Sequence, residues 1–145
     1  MTAPTRHPTA LELRAHALQL AKAFDVRLIQ SAQLKPDEAL GITGLRVALC
    51  TAIVDETTYA VALHEIGHLA APTGFVRGVC DGPRANLLRI EEDAAWTWAR
   101  HYALVWTPPM QAVALWAEGT YRQADRSAEP PAPVAPKASI DWTKY

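Results

Sequence analysis

The sequence predicts an α+β domain in which a small β-sheet packs on a buried helix and a second long helix lies behind it. Three observations carry this expectation. Residues 56 to 71 are apolar almost all round, and a helix without a polar face belongs in the interior. Two short stretches, around Val26 and Leu28 and around Leu45, Val47 and Leu49, alternate apolar with other residues as half-buried strands do. Residues 87 to 106 form the longest helical candidate, and a length of 145 residues suits one domain with a core of its own.

Taken in order, Thr9 followed by Glu12 has the spacing of a capping box, and Leu11, Ala15, Leu18, Ala21 and Ala23 recur at helical intervals, so residues 10 to 24 read as an amphipathic helix. Val26 and Leu28, then Ala32 and Leu34, suggest one strand, and Leu45 to Leu49 a second. Pro36, Gly41 and Gly44 punctuate the stretch between them, and Ile53-Val54 either extends the second strand or adds a third. Asp55 is the expected N-cap of the buried helix, which stops at Pro72-Thr-Gly74. Phe75 to Asn86, with three glycines and a proline, reads as an irregular connection or a small lid. Thr107 caps a last helix that takes Pro108 in its first position and reaches about Gln123. Four of the five Trp lie between positions 96 and 116, which points to packing bulk in these two helices. From Ser127 onward Pro130, Pro131, Pro133 and Pro136 exclude a helix or a central strand, so the chain divides into a domain over 1–126 and a Pro-rich tail over 127–145. Trp142 offers this tail an apolar anchor for packing back on the domain.

Composition narrows the function classes. Fourteen Lys and Arg against fifteen Asp and Glu leave a formal charge of -1, without the basic footprint of a nucleic-acid-coating protein. No apolar run approaches the ~20 residues of a membrane span, and the N-terminus lacks the layout of a signal peptide, so a soluble, cytoplasmic protein is expected. Two cysteines, Cys50 and Cys80, are too few for a disulfide scaffold and read as buried thiols.

The chemistry concentrates in His64-Glu65-Ile66-Gly67-His68. Residues four apart on a helix sit about 40° apart on one face, so the two imidazoles converge as a bidentate chelate for zinc. Glu65 projects about 100° from His64, beside the metal, where a carboxylate can take a proton from water that the metal activates. Thr57, Ala60, Val61 and Ala71 share the histidine face and leave room there. Chance would place such a motif in roughly one of a hundred chains of this composition. Two imidazoles and a carboxylate on so apolar a helix would be costly without a partner, and a metal supplies one.

A catalytic zinc needs a third protein ligand and an open position. Ala71 and Gly74 stand where a metzincin would have Gly and His, which excludes that class. The candidates are Cys80, Asp81, His101 and the acidic run Glu91-Glu92-Asp93. Within the helix, Glu92 shares a face with Ala95, Trp96, Ala99 and Ala103, whose small residues permit close approach, whereas His101 falls about 180° away. Glu91 and Asp93 are each rotated by about 100°, suited to orienting a ligand histidine or to solvent, and either remains an alternative ligand. Tyr59, Tyr102, Tyr121 and His101 are candidate donors to a tetrahedral oxyanion, and Arg77, Arg84, Arg89 and Arg100 could form a basic rim.

His64-Glu65-Ile66-Gly67-His68 followed by Glu92-x-x-Ala95-x-x-Trp98-Ala99 resembles the ImmA/IrrE-type metallopeptidases, small gluzincins of bacteria and their mobile elements, over roughly residues 10 to 106. The resemblance implies a zincin-like domain, Glu92 as third zinc ligand beside His64 and His68, and selective intracellular proteolysis of a regulatory protein such as a phage or element repressor. The expected function is therefore a zinc-dependent metallopeptidase with Glu65 as general base and a protein substrate, with no nucleic-acid or membrane partner. The alternative is a non-catalytic, zinc-stabilised module that binds another macromolecule, including a toxin or antirepressor that acts by binding.

Overall fold

A computed structural model of the chain describes residues 6–35, 38–71 and 84–128, with main chain alone at 43, 84–89 and 120–128. The elements are α1 (Ala10–Ala23), β1 (Arg27–Gln30), β2 (Leu40–Ile42), β3 (Val47–Cys50), α2 (Glu56–Ala70), α3 (Arg84–Tyr102) and α4 (Pro108–Ala128), with a turn of 3-10 helix over Thr43–Leu45. The domain is α+β as expected. The tail beyond 128, the connection over 72–83 and Cys80 and Asp81 within it lie outside the described residues. Among the described residues no helix is long and apolar enough to cross a membrane.

Helix α1 starts where the sequence places it. Thr9 accepts from the Glu12 amide at 3.2 Å, and the Glu12 carboxylate accepts from the Thr9 amide at 2.7 Å, which satisfies two of the four unpaired donors of a helix start. Its buried face differs from the expected one. Leu13, Ala17 and Ala21 are buried, with Leu20 and Phe24 packed beside them, while Leu11 and Leu18 are exposed. Both stripes have helical spacing, and contact with α2 selects the narrower one because small Ala17 and Ala21 let the helices approach. The helix closes with Val26 N–H donating to Ala21 C=O at 2.8 Å and Asp25 N–H to Lys22 C=O at 3.2 Å, the two bonds of a Schellman motif. That motif needs a left-handed residue, and Asp25 supplies it with φ 56°.

The sheet has the order β1-β3-β2, with β1 parallel and β2 antiparallel to β3. Only the cores of the two expected strands form. Ala32 and Leu34 fall beyond β1, Leu45 lies in the 3-10 turn, and Ile53-Val54 joins no strand. Instead Gln30 Oε1 accepts from the Ile53 amide at 3.0 Å, pinning the irregular segment that leads to α2. Strand β2 was not foreseen, since three residues with a central glycine give almost no alternation. Leu28, Ala48 and Gly41 align across the sheet, as do Gln30 and Cys50; β2 and β3 pack on α2, and β1 packs on α1.

Helix α2 begins at Asp55, whose carboxylate accepts from the Thr58 amide at 2.8 Å. Residues 58 to 67 are all buried, because α1, the sheet, α3 and α4 each pack on a different side. Helix α3 begins before Leu87 and ends four residues before Trp106. The physical reason lies in Tyr59: its hydroxyl accepts the Leu104 N–H at 2.9 Å, drawing the chain out of the helix toward α2. Pro108 takes the first position of α4 as expected, and the Gln111 amide donates to Thr107 C=O at 2.9 Å. The Thr107 hydroxyl does not cap α4; it donates to Glu56 at 2.6 Å and ties α4 to the start of α2. Helix α4 runs past Gln123 to Ala128 and buries Met110, Ala114 and Glu118, so the expected boundary at 127 falls inside it. Trp96 and Trp98 are core residues as expected, whereas Trp116 is exposed on α4.

One side chain joins the ends of two helices. Arg46 donates to the carbonyls of Asp25 at 2.8 Å, Phe24 at 2.5 Å and Leu69 at 3.3 Å, so a single guanidinium occupies the acceptor ends of α1 and α2, where a cation also suits the helix dipoles. Its backbone is left-handed, with φ 49°. Alanine would bear the same backbone strain as arginine, so Arg46→Ala isolates the guanidinium. We expect a loss of about 1–2 kcal/mol, low for charged hydrogen bonds because the side chain is partly exposed, with helix content retained. Urea unfolding followed by circular dichroism measures it.

Candidate metal centre

Four ionisable side chains meet between α2 and α3. The Nε2 atoms of His64 and His68 lie 2.6 and 2.9 Å from Oε2 and Oε1 of Glu92. Nδ1 of His64 lies 3.3 Å from Oε1 of Glu65. His64, Glu65 and Glu92 are each 7% exposed or less, whereas the His68 side chain is 20% exposed. The cluster therefore opens at its His68 end.

Helix α2 supplies three of the groups because positions 64 and 68 stack one turn apart, and α3 supplies Glu92 from the face that also buries Ala95 and Ala99. Gly67 sets how deeply Glu92 reaches. A Cβ at Gly67 would stand 2.7 Å from the Ala95 carbonyl oxygen and 3.2 Å from both Ala95 Cα and Trp98 Cε3. The α2 backbone thus rests directly on α3, three residues from Glu92. Sequence reasoning missed this role. Its signal was a glycine inside an otherwise well-formed buried helix, which costs about 1 kcal/mol relative to alanine and marks a close approach. On the other side, Gly41 of β2 covers the cluster: a Cβ there would lie 3.5 Å from Glu65 Oε2 and 3.6 Å from His68 Cβ.

Burial alone would discourage charge on His64, but Glu65 and Glu92 outweigh it and raise the imidazole pKa above its usual value. Burial would likewise raise Glu92, yet the hydrogen bonds from His64 and His68 hold its carboxyl well below the ordinary range. Both shifts describe a charged cluster that is internally paired. The buried Cys50 thiol in β3 is pushed up to about 11, by its burial and by the Glu65 carboxylate, so it stays neutral.

Two triads share the imidazoles. His64, Glu65 and His68 can each offer an atom within 4.8 Å of the others and could hold a metal ion. The triad with Glu92 is tighter, and in it both Nε2 atoms turn toward one carboxylate. Ligand atoms around a tetrahedral zinc stand about 3.3 Å apart, so an ion held by His64, His68 and Glu92 would require Glu92 to draw back from the His64 Nε2 atom, which lies 2.6 Å from its Oε2. Two imidazoles and a carboxylate are a donor set that zinc takes. Glu65 is then left beside the chelate, on the Nδ1 side of His64. Glu91 and Asp93 are only half-buried. His101 is exposed and packs edge-on against Tyr102, away from this cluster.

The other candidate residues fall elsewhere. Tyr59 is fully buried, with its hydroxyl 2.6 Å from His16 Nδ1 and accepting from Leu104, and its pKa is pushed up to about 12 by burial; it braces α1 and the end of α3. Tyr102 packs against Phe24 and Trp98. Arg100 belongs to no basic rim: it is 1% exposed, reaches Glu118 of α4 at 3.3 Å and lies over the Trp106 ring. The side chains of Arg77, Arg84, Arg89 and Tyr121 lie outside the described residues.

Fold and cluster together define an α+β domain with a buried His-His-carboxylate group at a helix crossing. Comparison with protein-family models, curated proteins and solved structures finds no match for the chain.

The Gly67 contact generates a prediction with a counterintuitive sign. In an exposed helix Gly→Ala stabilises by about 1 kcal/mol. Here the added methyl meets the α3 backbone, which cannot turn aside, so Gly67→Ala is expected to destabilise by about 1–3 kcal/mol. Chemical unfolding of the two proteins decides the sign, and an unchanged or raised stability would mean that α2 and α3 do not touch at this point.

Proposed function

We propose that the chain is a zinc-dependent metallopeptidase that hydrolyses a peptide bond in an intracellular regulatory protein. The observation that carries this reading is the convergence of the His64 and His68 Nε2 atoms on Glu92, with a second buried carboxylate, Glu65, held beside them and outside the convergent set. His64, His68 and Glu92 would hold the ion. When bound, zinc supplies Lewis-acid polarisation of the substrate carbonyl and acidifies water. Glu65 takes the proton from the attacking water and passes it to the leaving amine. Its burial suits that role, because few competing waters reach a carboxylate that is 7% exposed.

Strand β2 supports a peptide substrate. It is one edge of the sheet and stands over Glu65 and His68 through Gly41, and an extended chain can add to such an edge through main-chain hydrogen bonds. The glycine leaves space between that edge and the carboxylate. The resemblance of His64 to His68 and of Glu92 to Ala99 to the ImmA/IrrE-type enzymes supports a cytoplasmic setting and a repressor-like substrate. A second reading, a zinc-stabilised module that only binds another protein, draws on the aliphatic outer face of the sheet, where Ile29, Leu40 and Ile42 are exposed.

Protein purified without chelators is expected to carry one zinc per chain by elemental analysis. Glu92→Ala should lose it, while Glu91→Ala and Asp93→Ala should keep it; retention in Glu92→Ala would assign the third ligand elsewhere.

Glu65→Gln separates the enzyme from the binding module. The variant is expected to keep fold and zinc and to lose at least ~100-fold in hydrolysis, the contribution of a positioned general base. New N-termini in a bacterial lysate incubated with either protein, counted by mass spectrometry, provide the assay. Equal cleavage by wild type and Glu65→Gln would remove the general-base assignment, and a full biological effect without any cleavage would leave the binding module.

A further inference from the structure

Trp96 lies four residues after Glu92, so one turn of α3 brings both residues to α2. Its indole stacks on the His64 imidazole, with ring centroids 4.1 Å apart and planes 16° apart. The other aromatic neighbour of His64 is His68, at 4.5 Å and 69°. A face covered at van der Waals distance cannot rotate without displacing the ring above it, so the stack fixes the plane of the imidazole. Within that plane Nε2 points at Glu92 and Nδ1 at Glu65. Rotation of His64 out of the plane would carry Nε2 off the convergent position.

Trp96 is 1% exposed and its indole N–H has no hydrogen-bond partner, as is also true of the buried Trp98; what sets Trp96 apart is that the ring it covers is His64. A buried donor left unpaired is destabilising, and leucine or phenylalanine would fill much of the space without it. The broad face over His64 is what a smaller residue would not reproduce. Indole also has the aromatic face most favourable to positive charge, and an imidazole that carries a divalent ion is more positive than a free one.

We infer that Trp96 is a positioning residue for the metal centre: by stacking on His64 it holds Nε2 in the chelating orientation and raises metal affinity without touching the ion. This rests on the reading of His64 as a metal ligand. The test uses zinc and cobalt alone, with the full chain and the variants Trp96→Phe and Trp96→Leu. Zinc affinity is measured by competition with a chromophoric chelator, site geometry by the cobalt d–d spectrum, and fold by circular dichroism and thermal melting. Trp96→Phe keeps a planar face and is expected to bind zinc within about threefold of wild type. Trp96→Leu is expected to fold, to bind about 10- to 100-fold more weakly, as loss of a group that orients a ligand does, and to alter the cobalt spectrum. A folded Trp96→Leu with wild-type affinity and spectrum overturns the inference. Should Trp96→Leu fail to fold, tryptophan emission decides: saturation with zinc should change the emission of wild type, and most of that change should vanish in zinc-loaded Trp96→Phe, whereas its persistence overturns the inference. Wild-type protein that binds neither metal would instead overturn the ligand reading of His64, and this inference with it.

Discussion

Placing two imidazoles and two carboxylates between packed helices costs several kcal/mol for each ion that finds no partner, and this is the constraint on which the structure depends. It is met by mutual pairing: Glu92 offers one oxygen to each imidazole, and Glu65 lies beside the remaining nitrogen of His64. Removing Glu92 would strand both histidines, while removing either histidine would leave half a carboxylate unpaired. Such a group is stable only if its members are held at hydrogen-bond distance by the backbones that carry them. The separation of α2 and α3 is therefore the critical dimension of the domain, and the Gly67–Ala95 contact sets it.

The rest of the fold serves that dimension. An apolar helix such as α2 has to be covered on every side, and α1, strands β2 and β3, α3 and α4 cover it. The strands that pack on α2 do so through small residues, Ala48, Cys50 and Gly41, which keep the sheet close to the polar cluster without filling it. Arg46 fastens the sheet to the ends of α1 and α2. Arg100 and Glu118 do the same between α3 and α4, where the buried guanidinium, its charge opposed by burial, is sustained by the carboxylate opposite. Polar groups in this domain thus act as cross-ties between elements, and each buried ionisable group of the cluster has a charged or hydrogen-bonding neighbour. The indole N–H groups of Trp96 and Trp98 depart from that pattern, and of the two it is Trp96 that stacks on His64.

The placement of Glu65 separates two chemical outcomes for one ligand set. A metal that only stabilised a fold would use a fourth protein ligand. Cys50, held neutral by its burial and by Glu65, is not among the described residues whose atoms come together at the cluster. On the function proposed above, Glu65 borders the atoms that meet at Glu92 and serves proton transfer, although it too offers an atom within 4.8 Å of both histidines. The cluster opens at His68, next to the β2 edge.

What the sequence determined by itself is what one or two helical turns can decide. The capping box at Thr9, the N-cap at Asp55, the convergence of His64 and His68, the burial of α2 and the face that Glu92 shares with Ala95 and Ala99 all follow from a period of 3.6 residues and the residue types within it. The rest depended on which surfaces other elements cover. Leu11 and Leu18 form as good a stripe as Leu13, Ala17 and Ala21, and only packing on α2 chose between them. Strand β2 exists because β3 offers it an edge, and α3 stops at Tyr102 because Tyr59, more than forty residues away in sequence, takes the Leu104 amide. Arg100 is buried because α4 brings Glu118 to it. The Gly67 contact and the Trp96 stack belong to the same class: local spacing sets the direction in which a side chain points, but only tertiary packing sets the distance to what it meets.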